Sequence, residues 1–271
     1  MRFPRLSLTL AAAVVLSGCF QSTTVINVNG DGRGTIDQRM LMTGAALAQM
    51  RALAAFGGGG GKDLDPVSED QARAAAPSLG PGVSYVSSIP IRNGDAQGRA
   101  VVYAFSDVNQ LRVSQQPPAP GGMSIRAQGV SADDGPAVTF TTARQADGNV
   151  ILRIRVPQPN AASAGSSASP PTAVSSSPDQ LMMIKQLLAG AHLSIAVEPL
   201  GRLVRTSSPF IEGPRVILLD VDFDQVMNDP AVLSRLQGVR TLDDAKIALK
   251  GVPGMKINLD PEITIEFTPD K

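Results

Sequence analysis

The chain has one cysteine, one histidine and no tryptophan among its 271 residues. A single thiol cannot form an internal disulfide, so an exported form of this chain must rely on its hydrophobic core for stability. One histidine and one cysteine are also too few for the usual zinc and iron sites, which are built largely from those side chains. The sequence therefore predicts neither a disulfide framework nor a cofactor centre of this kind.

Aromatic residues and excess charge are scarce as well. Two Tyr and eight Phe leave aliphatic side chains to supply most of the buried surface, and they offer few rings for stacking on sugars. The 24 basic residues are balanced by 24 acidic ones. Because nucleic-acid binding depends on clustered Lys and Arg that displace counterions, we expect no nucleic-acid partner.

The N-terminal residues are organised like a secretory signal peptide. Arg2 and Arg5 precede an apolar run from Leu6 to Leu16 that is broken only by two hydroxyl residues, as in the charged and apolar regions of such signals. The run is shorter than the about 20 apolar residues that a membrane-spanning helix needs. Residues 1–18 are therefore predicted to be a cleaved signal peptide.

The signal ends in Leu16-Ser17-Gly18-Cys19, which resembles the lipobox of bacterial lipoproteins, whose cysteine is acylated and becomes the first residue after cleavage. The resemblance implies that Cys19 carries a lipid anchor and that Leu16, Ser17 and Gly18 complete the lipobox. The alternative is a plain signal followed by a buried cysteine. Residues 19–23 are expected to be a lipidated tether of order 15 Å, which would keep the domain against the membrane.

The residue after the cysteine bears on localisation. In Gram-negative sorting, Asp at this position retains a lipoprotein in the inner membrane, whereas this chain has Phe20. By that analogy we expect the cell envelope as the location, at the outer membrane facing the periplasm, for a host with two membranes.

Turn signals divide the rest of the chain into short strands. Asn29-Gly30-Asp31-Gly32, Asn93-Gly94 and Asp147-Gly148 each lie between β-prone stretches and predict hairpins. A turn at residues 199–201 is expected to join strands at 192–197 and 203–206. Most connections between predicted strands are thus short and local.

Helical segments lie between the groups of strands. Ala45 to Phe56 is apolar nearly all round, Ser68 and Gln71 fit a capping box, and Ser177 to Gly190 has strong start and stop signals. The pattern as a whole predicts an α+β fold, with a mainly antiparallel sheet built from hairpins and five or six helices packed on it.

The segment from Pro157 to Ser177 is almost entirely Ser, Ala and Pro. It has too little apolar surface to offset the cost of ordering, so we expect it to be disordered. Residues 24–271 are predicted to be a single α+β domain that this loop, 157–177, interrupts. The alternative is two subdomains, 24–156 and 178–271.

His192 is the first candidate for chemistry. It alternates out of phase with Leu193 and Ile195, which places it on the more solvated face of its strand. No Gly-x-Ser-x-Gly elbow or other nucleophile motif accompanies it. We therefore predict no catalytic residue and expect that the chain is not an enzyme.

Asp220, Asp222 and Asp224 are the second candidate. They alternate with apolar residues, which predicts three carboxylates on one strand face, and a calcium ion accepts such ligands. The calcium-loop pattern requires a glycine after the third Asp, where this chain has Gln225. The preferred interpretation is a solvated strand face whose last Asp caps the next turn.

Several short motifs together resemble those of a known family. They are Gly34-Thr35-Ile36, the run from Gly98 to Asp107 with Leu111 after it, and Gly148-Asn149-Val150-Ile151-Leu152. With the lipobox, they resemble the lipoproteins related to the mycobacterial LppM type, over roughly residues 19 to 156. The resemblance implies a mixed sheet with helices and an apolar pocket to which binding of envelope lipids has been attributed. The resemblance assigns a catalytic role to no residue of this chain.

These features predict a non-enzymatic envelope lipoprotein held at the membrane by acylated Cys19. Its domain is expected to bind a lipid or another apolar ligand, with Met40, Met42 and Met50 as flexible apolar side chains nearby. Ordinary core packing explains the same methionines. The alternative function is a structural or interaction lipoprotein that docks an envelope protein.

Overall fold

The computed structural model describes residues 20–48, 67–114, 137–157, 189–237, 239 and 242–270. The strands are β1 (Phe20–Val28), β2 (Gly34–Met42), β3 (Val83–Asn93), β4 (Ala96–Phe105), β5 (Arg112–Ser114), β6 (Ala137–Arg144), β7 (Val150–Arg155), β8 (His192–Pro199), β9 (Gly201–Thr206), β10 (Ile211–Glu212), β11 (Arg215–Asp222), β12 (Met255–Ile257) and β13 (Glu262–Pro269). The helices with full bounds are α1 (Glu69–Ala75), α2 (Phe223–Met227), α3 (Pro230–Gln237) and α4 (Leu242–Leu249), with 3-10 turns at Ala76–Leu79 and Val108–Gln110.

The described strands form two sheets. The large sheet has eight strands in the order β10-β11-β8-β1-β2-β4-β3, with β12 also paired to β11, and the small sheet has five in the order β5-β6-β7-β13-β9. Pairing is antiparallel except between β1 and β8, which are parallel. Each sheet therefore contains strands from both sides of residues 158–188.

The two sheets share one core. Ile26, Ile36 and Tyr103 of the large sheet and Phe140 and Phe267 of the small sheet belong to a single cluster of buried side chains. All five are at most 1% exposed. Burial of about 1.5–3 kcal/mol for each large apolar side chain makes this shared layer the main source of stability.

The predicted hairpins are confirmed. β1 pairs with β2, β3 with β4 and β6 with β7, each around its predicted turn. Gly94 and Gly148 take positive φ at 61° and 88°, a backbone region that glycine reaches without steric cost. Local turn chemistry thus accounts for three of the strand pairs.

The predicted turn at residues 199–201 is wrong as a hairpin. β8 already has β1 on one side and β11 on the other, so it has no free edge for the next strand. The chain instead passes from the large sheet to the small one between Pro199 and Gly201, where β9 pairs with β13.

The described residues are mostly strand with few helices, and an α+β class is consistent with that. Residues 44–48 are helical, and the rest of the predicted Ala45 to Phe56 helix lies outside the described residues. So do most of the predicted helix from Ser177 to Gly190 and residues 158–177 of the predicted disordered loop. Five or six helices packed on the sheet remain a prediction.

Helix α1 begins with the predicted capping box. The Ser68 side chain accepts from the Gln71 backbone N–H, and the Gln71 side chain accepts from the Ser68 N–H. The helix is held on β4 by the Tyr103 hydroxyl, which donates to the Ala72 carbonyl at 2.9 Å. Half-buried Tyr85 of β3 meets the buried Tyr103 ring edge to face at 6.4 Å, so an aromatic contact supports the side chain that connects helix and sheet.

We expect Tyr103→Phe to alter stability at alkaline pH. Burial, followed by the neighbouring Tyr85, raises the pKa of Tyr103 from 10.0 to about 12. As pH rises, the unfolded chain therefore loses this proton before the folded chain does. The stability that Tyr103 contributes is complete below pH 10 and is lost between pH 10 and about 12. The loss amounts to roughly 2–3 kcal/mol at about pH 12. The variant should be about 1 kcal/mol less stable at neutral pH, through the lost hydrogen bond, and should lack this part of the alkaline loss. Urea unfolding at several pH values measures both, and parallel pH profiles for the two proteins would contradict the assignment.

Candidate functional site

The predicted lipidation site, Leu16-Ser17-Gly18-Cys19, lies outside the described residues, as does the predicted signal peptide. The first described residue is Phe20, and β1 begins there. Phe20 pairs with Met42 and packs against the small cluster of Met42, Ala46 and Leu47. Residues 20–23, expected to be part of a tether, are instead strand residues.

This correction has a physical cause in the neighbouring strands. Gln21 pairs with Leu41 of β2 on one side and with His192 of β8 on the other, so β1 is paired on both edges from its second residue onward. The chain has no free spacer between Phe20 and the sheet. An anchor at Cys19 would lie directly beside the end of the large sheet where β8 begins.

His192 and Asp220 meet at that end of the sheet. The His192 Nε2 atom lies 2.7 Å from Asp220 Oδ1, and Lys256 Nζ lies 3.7 Å from Asp220 Oδ2. These side chains line an open cleft of about 220 Å³ with Asp222, Gln225 and Gly254. The His192 side chain is 40% exposed, as expected for the more solvated strand face.

Lys256 connects this cleft to β10. Its ammonium group donates to the Glu212 carboxylate, and that hydrogen bond is the main cause of a raised pKa for Lys256. The charges of Glu212 and Asp220 act in the same direction, while burial opposes them. A series of polar contacts thus runs across four strands. It leads from Glu212 of β10 through Lys256 of β12 and Asp220 of β11 to His192 of β8.

The three aspartates do not share one strand face. β11 ends at Asp222, which caps α2 by accepting from the Gln225 backbone N–H at 3.1 Å. Asp224 therefore lies in the helix, where it accepts from the Gly190 N–H at 2.8 Å. The expected alternation fails at Asp224 because the capping Asp222 starts a helix one residue earlier.

The arrangement has limited chemical capacity. Asp220 is hydrogen-bonded to His192 and forms an ion pair with Lys256, and both oxygens of Asp222 accept from Gln225. In the part of the chain that the structure describes, no three His, Cys, Asp or Glu side chains are grouped so that they could hold a metal ion. Among the described residues, the side chains that line the cleft include no serine, threonine or cysteine for nucleophilic attack. Its polar groups mainly bind one another and tie the strands together.

Sequence reasoning did not single out Lys256 or Glu212. Lys256 lies in a strand of three residues, β12, and Glu212 in one of two, β10, which are too short for a periodic pattern. The sequence shows that His192 and Asp220 each alternate with apolar neighbours. It does not show that the two side chains are in contact, because that contact depends on the pairing of β8 with β11.

Among the described residues, no helix is long and apolar enough to cross a membrane.

Comparison with known proteins gave one structural match to report. No family model and no curated protein matches the chain. The chain is similar to the folded domain of the Mycobacterium tuberculosis LppM protein, solved by NMR, at 11% sequence identity and a TM-score of 0.33. The match covers 94% of this chain and 92% of that one.

Proposed function

We propose that this chain is a lipoprotein of the bacterial cell envelope, anchored through acylated Cys19 and acting without catalysis. The observation that carries the proposal is the position of the first described strand. β1 starts at Phe20, immediately after the lipobox cysteine, so cleavage before Cys19 removes none of the described strands or helices. The membrane is then the first partner, and with Phe20 rather than Asp after the cysteine, the outer membrane is the proposed location in a host with two membranes.

Two roles for the anchored domain follow from its apolar residues. Binding of a lipid or another apolar ligand is the first, although Met40 and Met42 are only 6% and 2% exposed and so serve core packing. Docking of an envelope protein is the second, and the edge strand β3 supports it, since Val86 and Ile89 are 54% and 62% exposed there. Native mass spectrometry of the domain from cells and crosslinking in cells separate the two roles, by a bound lipid or by a captured protein.

Cys19→Ala is expected to abolish anchoring. Without the thiol no diacylglyceryl group can be attached, so the variant should lose label from a palmitate analogue and leave the washed membrane fraction. Gln21→Ala is the matched control, because it lies two residues away and leaves the lipobox intact; it should behave as the wild type. Fractionation followed by mass spectrometry of the N-terminal peptide measures this. An unmodified Cys19 in the wild-type protein would refute the proposal.

A further inference from the structure

The outer face of the small sheet carries a concentration of arginines. In β7 the side chains of Val150, Leu152 and Ile154 are buried in the core, so Arg153 and Arg155 lie on the opposite, exposed face. The neighbouring strands present their outward residues beside these two. The outward set in the described part of the chain is Arg112, Ser114, Ala137, Thr139, Thr141, Ala143, Ile151, Arg153, Arg155, Arg202, Arg205, Glu262, Thr264, Glu266 and Thr268, and we call it the arginine face.

Strand register brings these side chains into rows. Thr139 of β6 pairs with Arg112 of β5 on one side and with Arg155 of β7 on the other. Strands are about 4.8 Å apart and residues on one face about 7 Å apart along a strand. Arg112 and Arg155 therefore flank a threonine hydroxyl about 10 Å from each other, with Arg153 in the next row.

A β-bulge adds two more arginines to the same face. Arg202 and Arg205 are three residues apart, so in a regular strand they would point to opposite faces. The register of β9 against β13 shifts between Leu203 and Arg205, which leaves Val204 as the extra residue. Both arginines consequently pair with outward residues of β13, Thr268 and Glu266.

Charge on this face is only partly compensated. Arg205 binds Glu266 at 2.5 Å, and Arg153 lies 3.8 Å from Glu262. Arg112, Arg155 and Arg202 are exposed and have no ion-pair partner among residues 20–48, 67–114, 137–157, 189–237 and 242–270. Although the total charge of the chain is balanced, this surface thus carries three guanidinium groups that no acidic residue within these ranges pairs with.

We infer that the arginine face binds an anionic polysaccharide of the cell envelope. Guanidinium groups bind carboxylate and phosphate through two parallel hydrogen bonds, and threonine hydroxyls between them can donate to sugar oxygens. Among the described residues the only large apolar side chains on or beside this face are Ile151, which is half-buried, and the bulge residue Val204 on the edge strand, whereas the centre of a protein interface requires a cluster of aromatic and apolar side chains. A mainly polar face with spaced cations suits an extended, charged chain.

The membrane that holds Cys19 is a less suitable occupant, by an argument that rests on the proposed anchoring. Cys19 precedes β1 in the large sheet with no spacer, and the small sheet packs on the other side of the core, about 10 Å away. The arginine face points away from the large sheet. A bilayer that holds the anchor therefore contacts the end of the large sheet, and the arginine face does not lie against the bilayer surface.

Binding of dextran sulfate to the mature protein in a nonionic detergent tests the inference, with neutral dextran of equal length as the ligand control. The wild-type protein should bind only the sulfated polymer, more weakly as salt rises from about 50 to 200 mM. The double variant R112Q/R155Q should bind about 30-fold more weakly, because each basic residue at an anionic surface contributes about a factor of five. Neither change alters a buried group, so the variant should unfold at the wild-type temperature.

R39Q/R92Q is the matched control, with the same loss of charge on exposed residues of the large sheet. It should keep wild-type affinity for dextran sulfate within about threefold, which is less than the factor of about five expected for one basic residue at the binding surface. Equal losses in both double variants would overturn the inference in favour of a net-charge effect. Binding through the arginines to vesicles of phosphatidylglycerol, but not to dextran sulfate, would overturn it in favour of a membrane surface. Because no step requires acylation, failure here leaves the anchoring proposal standing.

Discussion

A chain that ends at residue 157 is expected not to fold. Such a chain keeps β1 to β7 but loses β8, which pairs with β1, and β13, which pairs with β7. It also removes seven buried side chains from the shared core, namely Ile195, Val197, Val216, Leu218, Ile263, Ile265 and Phe267. At roughly 1.5–3 kcal/mol each, their burial amounts to the order of 10 kcal/mol or more, which matches the whole stability of about 5–15 kcal/mol typical of a domain.

Far-UV circular dichroism and urea unfolding of residues 19–157 against residues 19–271 measure this effect. The control is a full-length chain in which residues 158–177 are replaced by a Gly-Ser segment of equal length. If that segment is the disordered loop predicted from its composition, the control should unfold like the wild type. A cooperative unfolding transition in the 19–157 chain would instead favour two subdomains, 24–156 and 178–271.

The pairs that sequence reasoning predicted are those that a turn determines locally. Asn29-Gly30-Asp31-Gly32 joins β1 to β2, and Asp147-Gly148 joins β6 to β7, because these residues favour the tight turns of hairpins. The parallel pairing of β1 with β8 has no such signal. Its partners are far apart in the sequence, and the side chains of a strand report what covers its two faces rather than which strands are hydrogen-bonded to its edges.

The same limit applies to the candidate sites. Alternation in the sequence places His192 on the solvated face of its strand. Which residues lie beside a given side chain depends on strand order, so neither the His192–Asp220 contact nor the row of Arg112, Thr139 and Arg155 could be read from spacing. Periodicity gives the face of a strand, and tertiary pairing gives its neighbours.

Two irregularities interrupt strand alternation, and only the first, at Asp222, has a local cause that the sequence contains. Asp222 ends β11 because an Asp at a strand end can cap a helix, and that capping outweighs continued alternation at Asp224. The bulge at Val204 changes the phase of β9, and a bulge needs one unpaired residue rather than a particular side chain. Irregularities of this kind reverse the face of every residue that follows in the strand. They therefore limit predictions from periodicity more than errors in strand or helix propensity do.

Gly201→Ala is expected to destabilise the fold strongly, because Gly201 lies where the chain passes from the large sheet to the small one. Its φ of 149° belongs to a region that is almost restricted to glycine. A Cβ atom there would lie 2.2 Å from the Thr268 carbonyl oxygen and 2.9 Å from the Pro269 Cα. Both contacts are with the backbone of β13, which is paired on its other side to β7, so relief requires moving a central strand.

Conformational strain of about 1–3 kcal/mol and overpacking of about 1–3 kcal/mol together predict a loss of roughly 3–5 kcal/mol for Gly201→Ala. Gly213→Ala is the matched control: Gly213 also has positive φ, at 59°, but a Cβ there meets nothing within 4 Å, so it should cost only about 1–2 kcal/mol. Urea unfolding of both variants measures the difference. If the two substitutions cost the same, the close approach of β13 to Gly201 does not constrain the crossing, and the glycine is needed only for its backbone angle.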